Sequence, residues 1–173
     1  MIFADIPSGD SVFVDANVFI YNFAPDPQYG PPCRELLERI ELGDLIGFCS
    51  AREFSDVAHR LMTLEACQTW GWPYAGIGHR LRTHRDEITR LTLFRQALDE
   101  IVAFGVHVLP VTQTDVLRAG DLSRQHGLLS GDALIVALMQ SNNLTSLASN
   151  DTDFDRIPGL NRYGPASPAP SAL

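Results

Sequence analysis

The sequence predicts an α/β fold, a three-layer α/β/α sandwich around a central, mostly parallel sheet. Three observations carry that prediction. Apolar runs of strand length recur at Val12–Val14, Leu45–Phe48, Val106–Leu109 and Ser146–Ala148. Segments of helical periodicity lie between them, and strands that alternate with helices pair in parallel under helical cover. The first and fourth runs lead into Asp15 and Asp151. In parallel sheets the ligand sits beyond the carboxyl ends of the strands.

Taken in order, Val12–Val14 reads as a buried strand ending at Asp15. From Arg34 to Leu42 a helix carries Leu36, Leu37 and Ile40 on one face, and Gly43 stops it. Leu45–Phe48 is the second strand. Ser50 is a candidate N-cap for a helix to about Cys67, with Phe54, Val57, Leu61 and Leu64 on one face. The stretch from Trp70 to Gly78 is a loop by its Gly and Pro content, and its aromatic residues call for a packing partner. One long helix is expected from about Arg85 to Phe104, followed by a strand at Val106–Leu109. Thr114 to His126 is a helix closed by Gly127. Ser130 or Gly131 opens another that carries Ala133–Met139. Ser146–Ala148 is the fourth strand and Leu160–Tyr163 a short edge strand.

The length of 173 residues suits one domain, expected over residues 1–163 with a helical insertion at about 67–100. Residues 164–173 form a Pro/Ala/Ser-rich tail expected to be loosely ordered. No apolar run approaches the ~18–20 residues that cross a bilayer. The first residues lack the pattern of a signal peptide, so a cytoplasmic protein without membrane association is expected. Cys33, Cys49 and Cys67 have neither zinc nor CxxC spacing and read as reduced structural residues. His79 and His84 read as surface residues. The net charge of −8 argues against a general nucleic-acid coat protein. It permits a nuclease whose carboxylates gather around a metal. All 13 basic residues are arginine, which fits bidentate phosphate recognition and equally fits a genomic composition bias.

Four places put a carboxylate where this architecture can gather it: Asp15 after the first strand, Asp56 in the helix after Ser50, Asp132 at the start of a nearly all-apolar helix, and Asp151 in Ser149-Asn-Asp-Thr-Asp-Phe-Asp-Arg156. Taken singly, each Asp also has a structural reading as a cap or turn residue. Together they demand more. Two like charges ~4 Å apart repel by a few kcal/mol at an effective dielectric near 20. Converging carboxylates therefore take up protons or bind a cation. Oxygen ligands without His or Cys point to Mg²⁺ or Mn²⁺, and such an ion suits phosphodiester cleavage.

Val-Asp15-Ala-Asn17-Val-Phe-Ile-Tyr, Gly-Leu-Leu-x-x-Asp132-Ala-Leu-Ile-Val-Ala and Leu-Ala-Ser149-Asn-Asp151-x-Asp153-Phe-Asp-Arg156, in that order and separation, resemble the motifs of the PIN-domain ribonucleases. The resemblance runs from about Val12 to Leu160, and it is nearest to the VapC-type toxins of type II toxin–antitoxin systems. It implies a PIN-like fold and a metal-dependent endoribonuclease. Asp15, Asp132 and Asp151 would hold Mg²⁺ or Mn²⁺, Asp153 standing as an outer candidate and Asp56 assisting. Asn17 and Ser149 would orient ligands or phosphate, and Arg156 would contact phosphate or pair with Asp153 or Asp155. It also implies an RNA substrate, a cognate antitoxin and a homodimer. The second motif departs from the family, which has Glu where Asp56 stands. Glu53, one turn earlier, is the other candidate. Asp56 is preferred because Val57 and His59–Met62 match the usual continuation.

Two rival readings follow from the same residues. A PIN-like domain could bind RNA or a partner without cutting. A haloacid-dehalogenase-type phosphatase also opens on a strand followed by Asp, but needs a second Asp where this chain has Asn17 and usually a Lys that it lacks.

Overall fold

The structure is a computed structural model and describes residues 1–24 and 26–166. Five strands form one sheet: β1 (Ser11–Val14), β2 (Ile46–Ser50), β3 (His107–Leu109), β4 (Ser146–Ala148) and β5 (Asn161–Tyr163). Their spatial order is β3-β2-β1-β4-β5, and every neighbouring pair is parallel. Among the described residues eight helices accompany them: α1 (Ala16–Phe23), α2 (Gly30–Glu41), α3 (Ala51–Trp70), α4 (Ile77–Thr83), α5 (Arg85–Ile88), α6 (Leu93–Ala103), α7 (Gln113–His126) and α8 (Ser130–Ser141). Short 3₁₀ turns cover Phe3–Asp5 and Thr152–Arg156. No helix among the described residues is long and apolar enough to cross a membrane.

Strand alternation divides the core in two. Val12, Val14 and Cys49 face α1, α2, α3 and α6, where they meet Phe19, Leu37, Leu61 and Ile101. Phe13 and Leu147 face the other layer, α7 and α8, and meet Leu122, Leu138 and Met139. The three expected layers are present. All seven residues from Ala133 to Met139 are buried, as their unbroken apolar run requires.

The elements depart from expectation in several places, among them α4, which starts inside the expected loop, and α3, which runs on to Trp70. α1 was not expected, because Val18-Phe-Ile-Tyr21 is rich in β-branched and aromatic residues and shows no helical period. α2 starts at Gly30, with Pro31 and Pro32 in its first turn, where their missing N–H groups leave no bond unmade. β2 lies one residue later than expected at its start and runs on to Ser50. The long helix expected over Arg85–Phe104 is two helices. The backbone turns at Thr89–Thr92, and α6 begins afresh because the Glu65 carboxylate, projecting from α3, accepts hydrogen bonds from the Thr92 and Leu93 N–H groups at 3.0 Å.

A third, smaller apolar cluster lies under this region: Ala66, Ile77, Leu81 and Leu91, with Trp70 and Trp72 packed against it. It supplies the packing partner that the aromatic loop calls for. At the other end of the chain, Gly164 bridges to Ile2 through Phe3 N–H to Gly164 O and Gly164 N–H to Met1 O, at 2.9 and 3.0 Å. The rest of the expected tail, residues 167–173, lies outside the described residues. The three cysteines are free, and His79 and His84 are exposed.

Candidate active site

The order β3-β2-β1-β4-β5 reverses direction at β1, with β2 on one side and β4 on the other. A crevice opens at such a switch point beyond the strand ends. Asp15 follows β1, and Ser149 to Asp151 follow β4. Asp132 reaches the same place from the third position of α8, and Glu53 from the third position of α3.

Ser149 ties the crevice together. It is fully buried. Its hydroxyl donates to Asp15 Oδ2 at 2.6 Å and accepts from Asn17 Nδ2 at 3.2 Å and the Asp151 N–H at 3.0 Å. Asn17 also donates to Asp15 Oδ2 at 2.6 Å, and its Oδ1 accepts from the Asn150 N–H at 3.4 Å. Asp15 occupies the N-cap position of α1 yet makes no side-chain cap bond. Its carboxylate is given over to Ser149 and Asn17, which rules out the simple capping role. Asp151 does cap: its Oδ1 accepts from the Asp153 N–H at 2.8 Å.

Burial and mutual repulsion act on the acids together. Burial pushes the Asp15 carboxyl up to about 6, and the charge of Asp132 adds to the rise. Burial likewise pushes Glu53 up to about 7, with the charge of Asp15 adding to it and the Ser50 hydroxyl opposing it by hydrogen bond. Asp132 is raised by burial, then by the charges of Asp151 and Asp153, while Arg52 and Arg156 oppose the rise. Carboxylate oxygens of Asp132, Asp151 and Asp153 lie within 4.8 Å of one another. This all-oxygen donor set fits a hard divalent cation.

Of the two candidates for the second acid, the structure turns Glu53 inward and Asp56 outward. Asp56 faces solvent, its side chain 49% exposed, and pairs with Arg52 at 3.2 Å. Glu53 is 2% exposed and turned inward. The reason is helical phase: Glu53, Val57 and Leu61 repeat every four residues and share the buried stripe of α3, whereas Asp56 is about 100° of rotation away from Val57. The motif continuation at Val57 favoured Asp56, but the phase signal was present in the sequence and favours Glu53. The spacing Ser50-x-x-Glu53 also suggests an N-terminal capping pair.

Arg52 is a rim residue that the motifs did not mark. Its guanidinium lies against Gly131, where any side chain would collide with it. It therefore stands at the mouth of α8 beside Asp132. Arg156 pairs with Asp153 at 3.1 Å, and Arg162 takes Asp155 at 2.7 Å.

Comparison with known proteins gives the family and the fold. The family model of the PIN domain matches residues 12–160. A VapC ribonuclease of Mycobacterium bovis is 26% identical over 152 residues, covering 87% of this chain and 98% of its own. Among solved structures, VapBC2 of Rickettsia felis bound to a promoter DNA fragment superposes with a TM-score of 0.58 at 16% identity, covering 89% of this chain and 98% of that one. VapC20 of Mycobacterium tuberculosis, described as a sarcin–ricin loop cleaving toxin, gives 0.56 at 17% identity, covering 83% and 92%. These two show the fold.

Proposed function

This chain belongs to the PIN domain family, and on that basis we propose that it is a divalent-metal-dependent endoribonuclease and the toxin of a toxin–antitoxin pair. One observation carries the reading. Asp15, Glu53, Asp132, Asp151 and Asp153 converge at the carboxyl edge of the sheet, and the innermost two are held well above the usual carboxylate range. Such a cluster stays charged only beside a cation. The likeness to a VapC ribonuclease supports RNA as the substrate. The likeness to VapBC2 supports an antitoxin partner, and a homodimer is the arrangement the family resemblance implies.

In this reading Asp132, Asp151 and Asp153 would hold Mg²⁺ or Mn²⁺, with the Asp15 charge felt by Asp132 beside them. When bound, the ion supplies positive charge against the carboxylates and Lewis acidity toward the phosphodiester. Glu53, poised near neutrality, takes the proton from an attacking water. Ser149 and Asn17 are positioning residues that fix the Asp15 rotamer by hydrogen bonds. Arg52 and Arg156 receive the phosphates at the rim. Asn17 spends its amide on Asp15, so no acid is available at the position a phosphatase of the haloacid-dehalogenase type requires.

The test is cleavage of RNA by purified protein free of any antitoxin. Activity is expected with Mg²⁺ or Mn²⁺ and none in chelator. Asp15→Asn or Asp132→Asn is expected to abolish it. Equal behaviour of wild type and both variants would remove the nuclease reading in favour of a non-cutting RNA- or partner-binding domain.

A further inference from the structure

The protein carries −8 overall, yet its arginines are unevenly spread. Five of the 13 fall between residues 80 and 95, against two acids, Asp86 and Glu87. Arg90 pairs with Glu87 and Arg95 with Asp99. Among the described residues, Arg80, Arg82 and Arg85 have no carboxylate partner, and all three are exposed. Nearby Glu65 is occupied in capping α6.

Aromatic rings are interleaved with these guanidiniums. Arg80 lies 5.3 Å over the Trp72 ring, Arg90 5.6 Å over Trp70, and Arg60 4.6 Å over Tyr74. Trp70 and Trp72 are 4.8 Å apart, and Trp72 is 5.3 Å from the His84 ring. Tyr74 is 53% exposed. Guanidinium planes laid on aromatic faces, with the Tyr74 and His84 rings exposed, make a stacking platform inside a positive patch. Bases stack on both kinds of plane, and phosphates need the unpaired arginines.

The patch is joined to the crevice by one rigid element. α3 has 20 residues, about 30 Å of helix, with Glu53 in its first turn and Trp70 as its last residue. Arg60 stands two turns beyond Glu53 along the helix. A single strand leaving the crevice along α3 reaches the platform within a short run of nucleotides.

We propose that α4, α5 and the Trp70–Gly76 loop form a second RNA-binding surface, which grips a single-stranded segment of the substrate flanking the cleaved bond. The proposal rests on the ribonuclease reading, and its test separates the two. RNA is favoured over an acidic peptide because the platform offers ring faces as well as charge.

Trp70 and Trp72 are the protein's two tryptophans, so fluorescence excited selectively in tryptophan reports on this surface. The Asp15→Asn protein keeps the patch and suppresses cutting. Titrated with a uridine homopolymer of about ten nucleotides, its emission is expected to be quenched saturably. The triple substitution Arg80→Gln, Arg82→Gln, Arg85→Gln weakens that binding about 10–100-fold at ~0.1 M salt and reduces the log–log salt slope by about 2. In the cleaving protein the same triple substitution raises KM about tenfold or more. Tyr74→Ala, at an exposed site that folding does not need, lowers affinity severalfold and leaves the salt slope alone. Unchanged emission, or a triple variant with wild-type affinity and KM in a protein that cleaves, overturns the proposal while the ribonuclease reading stands. Quenching in a protein that cleaves nothing keeps the surface and removes the ribonuclease reading. Quenching by polyglutamate where the RNA is silent assigns the surface to a protein partner and overturns the proposal.

Discussion

Replacing Glu53 by glutamine tests the buried acid directly. Its carboxyl ionises near 4.5 in an unfolded chain and at about 7 in the folded one. Between those values the folded state holds a proton that the unfolded state has lost. Stability therefore falls as pH rises through that window and levels off above it. Above both values the buried charge costs about 3 kcal/mol. Glutamine has the same shape and can still accept from the Ser50 hydroxyl. Metal-free Glu53→Gln is thus expected to be about 2–3 kcal/mol more stable than wild type near pH 8.5 and equal to it near pH 4. In thermal melts that is roughly 4–12 °C at the higher pH for a chain of this size. Asp56→Asn, which loses an exposed ion pair, shifts stability by less than about 0.5 kcal/mol at either pH. In cleavage assays Glu53→Gln lowers kcat about 10²–10⁴-fold, and Asp56→Asn leaves it within about twofold. Parallel pH profiles for Glu53→Gln and wild type would refute the burial argument. An active Glu53→Gln beside an inactive Asp56→Asn would return the second acid to Asp56.

Four further perturbations follow from the contacts. Ser149→Ala removes a fully buried hydroxyl that serves Asp15, Asn17 and Asp151, and is expected to cost about 2–4 kcal/mol in denaturant unfolding. Mg²⁺ or Mn²⁺ at about 100 times its dissociation constant raises the stability of wild type by about 2.7 kcal/mol, and calorimetry should show the rise lost in Asp132→Asn. Gly131→Ala drives the Arg52 guanidinium from the mouth of α8, and steady-state kinetics should show KM for RNA raised severalfold. Glu65→Ala uncaps α6, costing about 1 kcal/mol in thermal unfolding.

Much of this protein is legible along the chain because the signals are local. The apolar runs and the periodicities between them define four strands, and their alternation with helices dictates a parallel sheet. Gly127, left-handed with φ of 66°, ends α7 where expected. Asp15 and Asp151 are legible as candidate site residues because each follows a strand, and Asp132 because it opens a helix too apolar to need it for solubility.

The rest depends on groups that meet only after folding. Glu53 and Asp56 are three residues apart on one helix; the motif continuation points to Asp56, the helical phase to Glu53, and packing decides which faces inward. Packing against α1 and α6 sets the rotation of α3, and that rotation buries Glu53 and exposes Asp56. The break between α5 and α6 likewise depends on Glu65, which lies 27 residues away from the amide it caps. Ser149 and Asp15 are 134 residues apart, yet their hydrogen bond holds the centre of the site. The sequence by itself determined which acids exist and which strand ends present them. Tertiary packing decided which of them are desolvated, and desolvation is what raises their affinity for protons and cations.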